Sequence, residues 1–383
     1  MVGQPSRRPA IAAAGLLMLT ALPPVVAAPE LNSYVQHNLV SDIRGRADHF
    51  DPNLVNPWGI SFNPTGPFWI SDNGTGVTTV YDGHGRPAPM GKPLIVTIPP
   101  PLGGTPPSAP TGQVFNGTGG FALTPGLPAL FIFATEDGTI SGWNPTVNST
   151  QAILKVDRAS FGAVYKGLAI AAGPAGVHLY AANFRAGAIE VFDTDFNLVT
   201  LAGIFFDPTI PAGFAPFNIR NINGELFVTY AKQDGARHDD VAGLGNGFVN
   251  VFDTNGVFLR RFASAGTLNS PWGVVHAPAG FGAFSNQVLI GNFGDGRINA
   301  FDPASGAFRG QLQNGKGTAI QIDGLWALVF GNGGMGGDTD KLYFTAGIEG
   351  EKHGLFGQIR ARQPGEDDSS DNEGEDRGGN GRN

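Results

Sequence analysis

An all-β chain built from one repeated unit is the architecture this sequence predicts, and three observations predict it. Gly (58) and Pro (29) make up nearly a quarter of the 383 residues while 15% are charged, a composition of many short strands and many turns. The phrase Pro57-Trp58-Gly59-Ile60 returns as Pro271-Trp272-Gly273-Val274. Each is followed by an aromatic and β-branched strand, and then by a third strand that ends in aromatic-Asp, at Tyr81-Asp82 and Phe301-Asp302. Four further copies fit this template, so six units of roughly 56 residues fill the chain, somewhat longer than common propeller repeats of ~40–50. Six such units predict a six-bladed β-propeller. A parallel β-helix would need shorter and more uniform rungs.

Composition also excludes other classes. Gly has no three-residue period, so the chain is not collagenous. With 41% hydrophobic residues and 28 Phe it is not disordered. The net charge of −8 comes with no basic stripe, which excludes a nucleic-acid partner.

The elements follow in chain order. Residues 1–28 read as a signal peptide, with Arg7 and Arg8 ahead of an apolar run over residues 11–22. Small residues at Val25, Ala27 and Ala28 place cleavage after Ala27 or Ala28, by a Sec or twin-arginine route. The run is too short to span a bilayer, and no other run reaches that length. The mature chain is therefore expected in the periplasm or outside the cell, with no transmembrane helix, as a monomer. It has no Cys, so packing rather than disulfides must hold it.

Residues 29–362 form the single propeller domain. Residues 34–40 read as a strand ahead of the first copy and are expected to close the ring as the outer strand of the last blade, near residues 355–359. The second copy runs from Gly120 through Leu130-Phe131-Ile132-Phe133 to Trp143-Asn144, and the third from Gly167 through His178-Leu179-Tyr180 to Phe192-Asp193. The fourth runs from Phe217-Asn218 to Phe252-Asp253, and the sixth from Gly324 to Leu355-Phe356-Gly357. Gly59, Gly120, Gly167, Gly273 and Gly324 are expected to open innermost strands, where a missing Cβ suits crowding at the axis. Asn73-Gly74, Asp137-Gly138, Asp234-Gly235 and Asp295-Gly296 are hairpin turns. Residues 87–112, 200–215 and 233–246 are loops. Residues 363–383 are acidic and lack apolar groups, which predicts a solvated, disordered tail.

The stretch Asn38-Leu39-Val40-Ser41-Asp42, with Ala47-Asp48, Asp51-Pro52-Asn53-Leu54-Val55-Asn56-Pro57-Trp58-Gly59 and Ser71-Asp72-Asn73-Gly74-Thr75-Gly76, resembles a family of secreted bacterial proteins. The resemblance covers nearly the whole mature chain and implies a six-bladed propeller of the NHL or TolB-like kind. It carries over no catalytic residue. Some relatives end in an apolar sorting signal, where this chain has its acidic tail.

Functional groups of a propeller gather where the second-to-third hairpins and the blade-opening loops meet the axis. Aligning the copies puts Asn73, Glu136, Asn183, Lys232, Asn292 and Glu349 at hairpin positions. Asn56, Lys166, Asn218, Asn269 and Asp323 fall at blade openings. Of these, Asn56, Asn73, Glu136, Asn183, Asn269, Asn292, Asp323 and Glu349 are the candidates for an axial binding face. Calcium takes six to eight oxygen ligands, so Glu136, Asn183, Asn292, Asp323 and Glu349 are its candidate ligands. Such an ion would polarise a substrate carbonyl, as in the lactonase-like hydrolases and lyases whose plan this resembles. The same Asn and Asp are ordinary turn residues, and Lys166 and Lys232 oppose a cation site if they point inward. Trp58 and Trp272 are the candidate aromatic platforms for a sugar. His238-Asp239-Asp240 is either a local cation site or a solvated loop.

Nucleophile elbows, His-Glu-x-x-His and phosphate loops are all absent from the sequence. The leading expectation is therefore a binding module for a protein, small molecule or carbohydrate. A calcium-dependent hydrolase or lyase is the alternative.

Overall fold

The computed structural model describes residues 1–4, 31–363 and 365–366. Beyond its first four residues the segment read as a signal peptide lies outside the described residues, as do residue 364 and the expected tail from residue 367 onward. Among the described residues no helix is long and apolar enough to cross a membrane.

Six four-stranded antiparallel blades follow one another along the chain. Blade 1 is Pro57–Ser61, Phe68–Asp72, Val77–Tyr81 and Ile95–Thr97. Blade 2 is Pro110–Phe115, Phe131–Thr135, Thr139–Trp143 and Ile153–Asp157. Blade 3 is Tyr165–Gly173, Gly176–Asn183, Ala188–Phe192 and Leu198–Val199. Blade 4 is Phe214–Ile222, Glu225–Lys232, Phe248–Phe252 and Phe258–Ser264. Blade 5 is Pro271–His276, Val288–Asn292, Ile298–Phe301 and Phe308–Gln311. Blade 6 is Leu325–Phe330, Leu342–Ala346 and Leu355–Ala361, completed by Tyr34–Ser41. The six-bladed propeller predicted from the repeat is the observed fold.

The closing strand pairs antiparallel with the last one, from Tyr34↔Ala361 to Ser41↔Leu355. Tyr34 also fastens the closure to blade 5. It is buried, its hydroxyl donates to the Phe281 carbonyl at 3.0 Å, and its ring lies 4.9 Å from that of Phe281. One contact of the expected tail is ordered as well: the Glu366 carboxylate takes a two-pronged bond from the Arg360 guanidinium.

Strand pairing makes Pro57, Pro110, Tyr165, Pro216, Pro271 and Leu325 equivalent positions of the inner strands, each the first residue of its strand except in blade 4, whose strand begins two residues earlier at Phe214. Two residues on stand Gly59, Gly112, Gly167, Asn218, Gly273 and Ala327. A Cβ on Gly59 would sit 2.4 Å from the Thr111 carbonyl oxygen, and one on Gly112 2.4 Å from the Leu168 nitrogen. The small residue thus lets each inner strand approach the next. Asn218 instead spends its amide on the gap, donating to the Trp272 carbonyl at 2.7 Å.

This corrects two expected strand openings. Gly120 lies outside the inner strand of blade 2, which begins at Pro110 within the stretch read as a loop. Gly324 precedes the inner strand of blade 6, and Ala327 fills the crowded position.

Candidate functional site

The residue after each of these equivalent positions turns toward the axis. It carries Trp58, Thr111, Lys166, Phe217, Trp272 and Trp326. Trp58 and Trp326 stack with ring centroids 3.6 Å apart, and Trp272 meets both edge-on at 6.3 and 5.9 Å. Phe293 stacks on Trp326 at 4.0 Å. These rings form an aromatic plug, an arrangement favoured by their quadrupoles as well as by their buried area. Trp58 and Trp272 are 2% and 4% exposed. The expectation that their faces are open to a sugar is therefore corrected, because alternation along the strand points them into the plug.

Lys166 is the charged member of this ring. Its side chain is 2% exposed, with Nζ 5.0 Å from the Trp58 ring and 5.9 Å from that of Phe184. The ammonium donates to Glu136 Oε1 and, at 3.2 Å, to Asp239 Oδ1. Burial works against the charge, but the Glu136 and Asp239 carboxylates more than offset it and hold the pKa above the ordinary lysine value.

From this cation a hydrogen-bonded network spreads over the plug. Glu136 Oε2 accepts from Asn73 Nδ2 at 2.9 Å, and Asn73 Oδ1 from Asn56 Nδ2 at 3.3 Å. Asn56 Nδ2 also donates to Glu351 Oε2 at 2.8 Å, and Asn56 Oδ1 accepts from Trp326 Nε1 at 3.0 Å. On the other side His238 Nδ1 lies 2.9 Å from Asp239 Oδ1. The network links blades 6, 1, 2, 3 and 4 in one continuous path. Asn56 holds the left-handed conformation (φ 47°) directly before Pro57, and Ser270 (φ 48°) does the same before Pro271. This kink positions the Asn56 amide between Trp326 and the rim.

The carboxylates of this face respond to their settings. Burial pushes Glu351 up, and Asn56 only partly counters it. Asp239 is held below the usual range: burial pushes it up, but Lys166 and His238 outweigh this. Burial raises Asp240 and Asp137.

Of the sequence-derived candidates the structure joins Asn56, Asn73 and Glu136. The others lie in separate groups. Asn183 Oδ1 accepts from the Val164 and Ala186 amides at 3.2 Å each, and its Nδ2 donates to Glu190 at 3.2 Å. Asn292 Nδ2 donates to the Thr267 carbonyl at 2.8 Å and to Asp295 at 3.0 Å. Asn269 Oδ1 accepts from the Gly243 amide at 2.6 Å, and Asp323 Oδ2 from the Glu349 amide at 2.7 Å. Glu349 is exposed, 3.9 Å from His353.

Registration explains the split. Asn73, Glu136, Phe184 and Phe293 each donate a backbone N–H to the residue just before an inner strand, at 2.8–3.1 Å. They are therefore equivalent, and Asn183 and Asn292 stand one residue earlier. A shift of one residue reverses a side chain's face. Phe184 and Phe293 take the axial place there. The sequence reading did not assign Glu351 to the site.

Calcium can be tested against these residues. The five candidate ligands do not converge. Among the described residues the convergent metal-type ligands are Glu136, His238 and Asp239, whose ligand atoms lie within 4.8 Å of one another. Lys166 already donates to two of these three, so its positive charge stands where a cation would bind. The set falls short of the oxygen-rich shell calcium requires.

No family model matches the chain. Uncharacterised protein R648 of Acanthamoeba polyphaga mimivirus is 36% identical over 331 residues, covering 84% of this chain and 78% of its own. Mimivirus protein L690 is 35% identical over 333 residues, covering 84% of each chain. These relatives are viral, whereas the sequence motifs resemble those of bacterial proteins. A streptogramin B lyase structure superposes with a TM-score of 0.48 at 12% identity, over 86% of this chain and 97% of that one.

Proposed function

We propose that this chain, which belongs to the same family as the mimivirus proteins R648 and L690, is an exported, monomeric binding module without chemistry of its own. Its ligand sits on the network-bearing face. The observation that carries this reading is Lys166. Its ammonium neutralises Glu136 and reaches Asp239, two of the three side chains that could converge on an ion. What remains at the rim is a set of acceptors, Glu351, Asp239 and Asn73, above a plug of indoles. Carboxylates and amides in this array suit a hydroxyl-rich ligand, so the ligand class is a carbohydrate.

Calorimetric titration with a panel of neutral oligosaccharides tests this. Binding that weakens about tenfold in Asp239→Asn and Glu351→Gln, a loss of ~1.4 kcal/mol, supports it. Calcium-dependent turnover of esters or lactones that is lost in Glu136→Gln overturns it. That outcome would instead favour the hydrolase or lyase reading, whose support is the proximity of Glu136, His238 and Asp239.

A further inference from the structure

On the network-bearing face an open cleft of about 310 Å³ lies between blades 5 and 6. That volume falls at the lower end of small-molecule sites, which run from ~300 to ~1,000 Å³. One wall is the hairpin of blade 5, with Phe293, Gly294 and Asp295, and the other is the segment entering blade 6, with Gln321, Asp323 and Gly324. Phe293 shares its register with Asn73 and Glu136, so the cleft opens on the same face as the network. Two contacts join them. Phe293 stacks on Trp326, whose Nε1 donates to Asn56. Asp323 Oδ2 accepts from the Glu349 amide, in the turn that carries Glu351 to Asn56.

The lining has the make-up of a sugar subsite. Trp326 takes one face of the Phe293 ring, and the half-buried ring borders the cleft. An aromatic face attracts the polarised C–H groups of a sugar, while the sugar's hydroxyls need acceptors and donors at its edge. Both are at hand. Among the described residues Asp323 Oδ1 and the Gln321 side-chain amide make no hydrogen bond. Asp295 is held in place by Asn292 Nδ2 at 3.0 Å and by Arg297 at 3.3 Å. The Arg297 guanidinium offsets the Asp295 charge, which leaves Asp323 to repel an anionic ligand. A neutral, hydroxyl-rich ring fits.

We propose that the cleft is a second carbohydrate subsite: one sugar ring lies against Phe293, its hydroxyls bonded to Asp323 and Gln321, while the network holds the next part of the same glycan. Phe293 thus supplies the aromatic platform that the buried Trp58 and Trp272 do not. The proposal rests on the carbohydrate reading and adds the course of the ligand, from the network past Trp326 onto blades 5 and 6. A glycan of several sugars is therefore preferred to a short one.

The test titrates the whole mature protein calorimetrically with cellohexaose, maltohexaose and mannohexaose, with the matching disaccharides, and with choline. The expected result is that one hexasaccharide binds more tightly than its disaccharide, and that Phe293→Ala loses this gain, about tenfold in affinity, without weakening the disaccharide. Gln321→Ala and Asp323→Asn change exposed side chains and should lower hexasaccharide affinity a few-fold. They keep the test decisive if Phe293→Ala disturbs the aromatic plug. A hexasaccharide that weakens in Asp239→Asn but binds all three cleft variants as it binds the wild type overturns the subsite and leaves the carbohydrate reading standing. No binding of any sugar overturns both. Choline that binds the wild type and not Phe293→Ala overturns the subsite as well, because it assigns the cleft to a cation.

Discussion

Replacing Lys166 by Met removes the cation on which the network is built while keeping most of the side chain's volume over Trp58. Removing one partner of a buried ion pair typically costs ~3–5 kcal/mol, because the other charge is left uncompensated. Here Glu136 keeps one donor, Asn73 Nδ2 at 2.9 Å, and its side chain retains 13% exposure. Asp239 is 67% exposed and can turn to water. These two features put the expected loss at the lower end, about 3 kcal/mol. Adding Glu136→Gln removes the stranded charge, so the double variant should recover to within ~1 kcal/mol of the wild type. Urea unfolding measures this through the midpoint, with the slope m unchanged. The pH dependence has a definite sign. Because the folded-state pKa of Lys166 is raised, its contribution is complete below the unfolded lysine value near ~10.4 and fades as pH rises through the folded pKa. The deficit of Lys166→Met should thus be flat across neutral pH and shrink in alkali. A single variant as stable as the wild type, or a double variant no better than the single, would refute the electrostatic role given to Lys166.

Three further outcomes are expected. Asp72 is fully buried, with the Thr79 hydroxyl donating to it at 2.8 Å, and burial raises its pKa; Asp72→Asn should therefore stabilise by ~1–2 kcal/mol above that pKa and have no effect in acid, where the carboxyl is already neutral, as read by unfolding at several pH values. Tyr34→Ala should cost ~3–5 kcal/mol by calorimetric or urea unfolding, since it removes a buried ring and loosens the closing strand. Gly167→Ala should cost at least ~1–3 kcal/mol, because its Cβ would lie 2.6 Å from the Asn218 Cα atom in the next blade.

The fold was legible because closing a propeller imposes the same local demands six times. The Pro-Trp-Gly phrase records two of them, a strand opening and a close approach. Blade 2 was mis-set because its opening, Pro110-Thr111-Gly112, follows a proline-rich stretch that resembles a loop. A better signal was present: Pro57, Pro110 and Pro271 each stand two residues before Gly, and proline is well tolerated as the first residue of a strand. The site was legible only in part, since period-two alternation makes a one-residue misalignment reverse a side chain. Asn183 and Asn292 were chosen for their chemistry, but Phe184 and Phe293 hold the axial position. Glu351 escaped notice because it reaches Asn56 through an irregular turn with left-handed residues at Glu349, Gly350 and Glu351, which no strand periodicity foretells.

The central claim is that Lys166, not a metal ion, supplies the positive charge of the axial face. Calorimetric titration of calcium into chelator-treated mature protein tests it most directly. The account predicts no saturable one-site binding in the wild type. Saturable calcium binding that disappears in Glu136→Gln would contradict it.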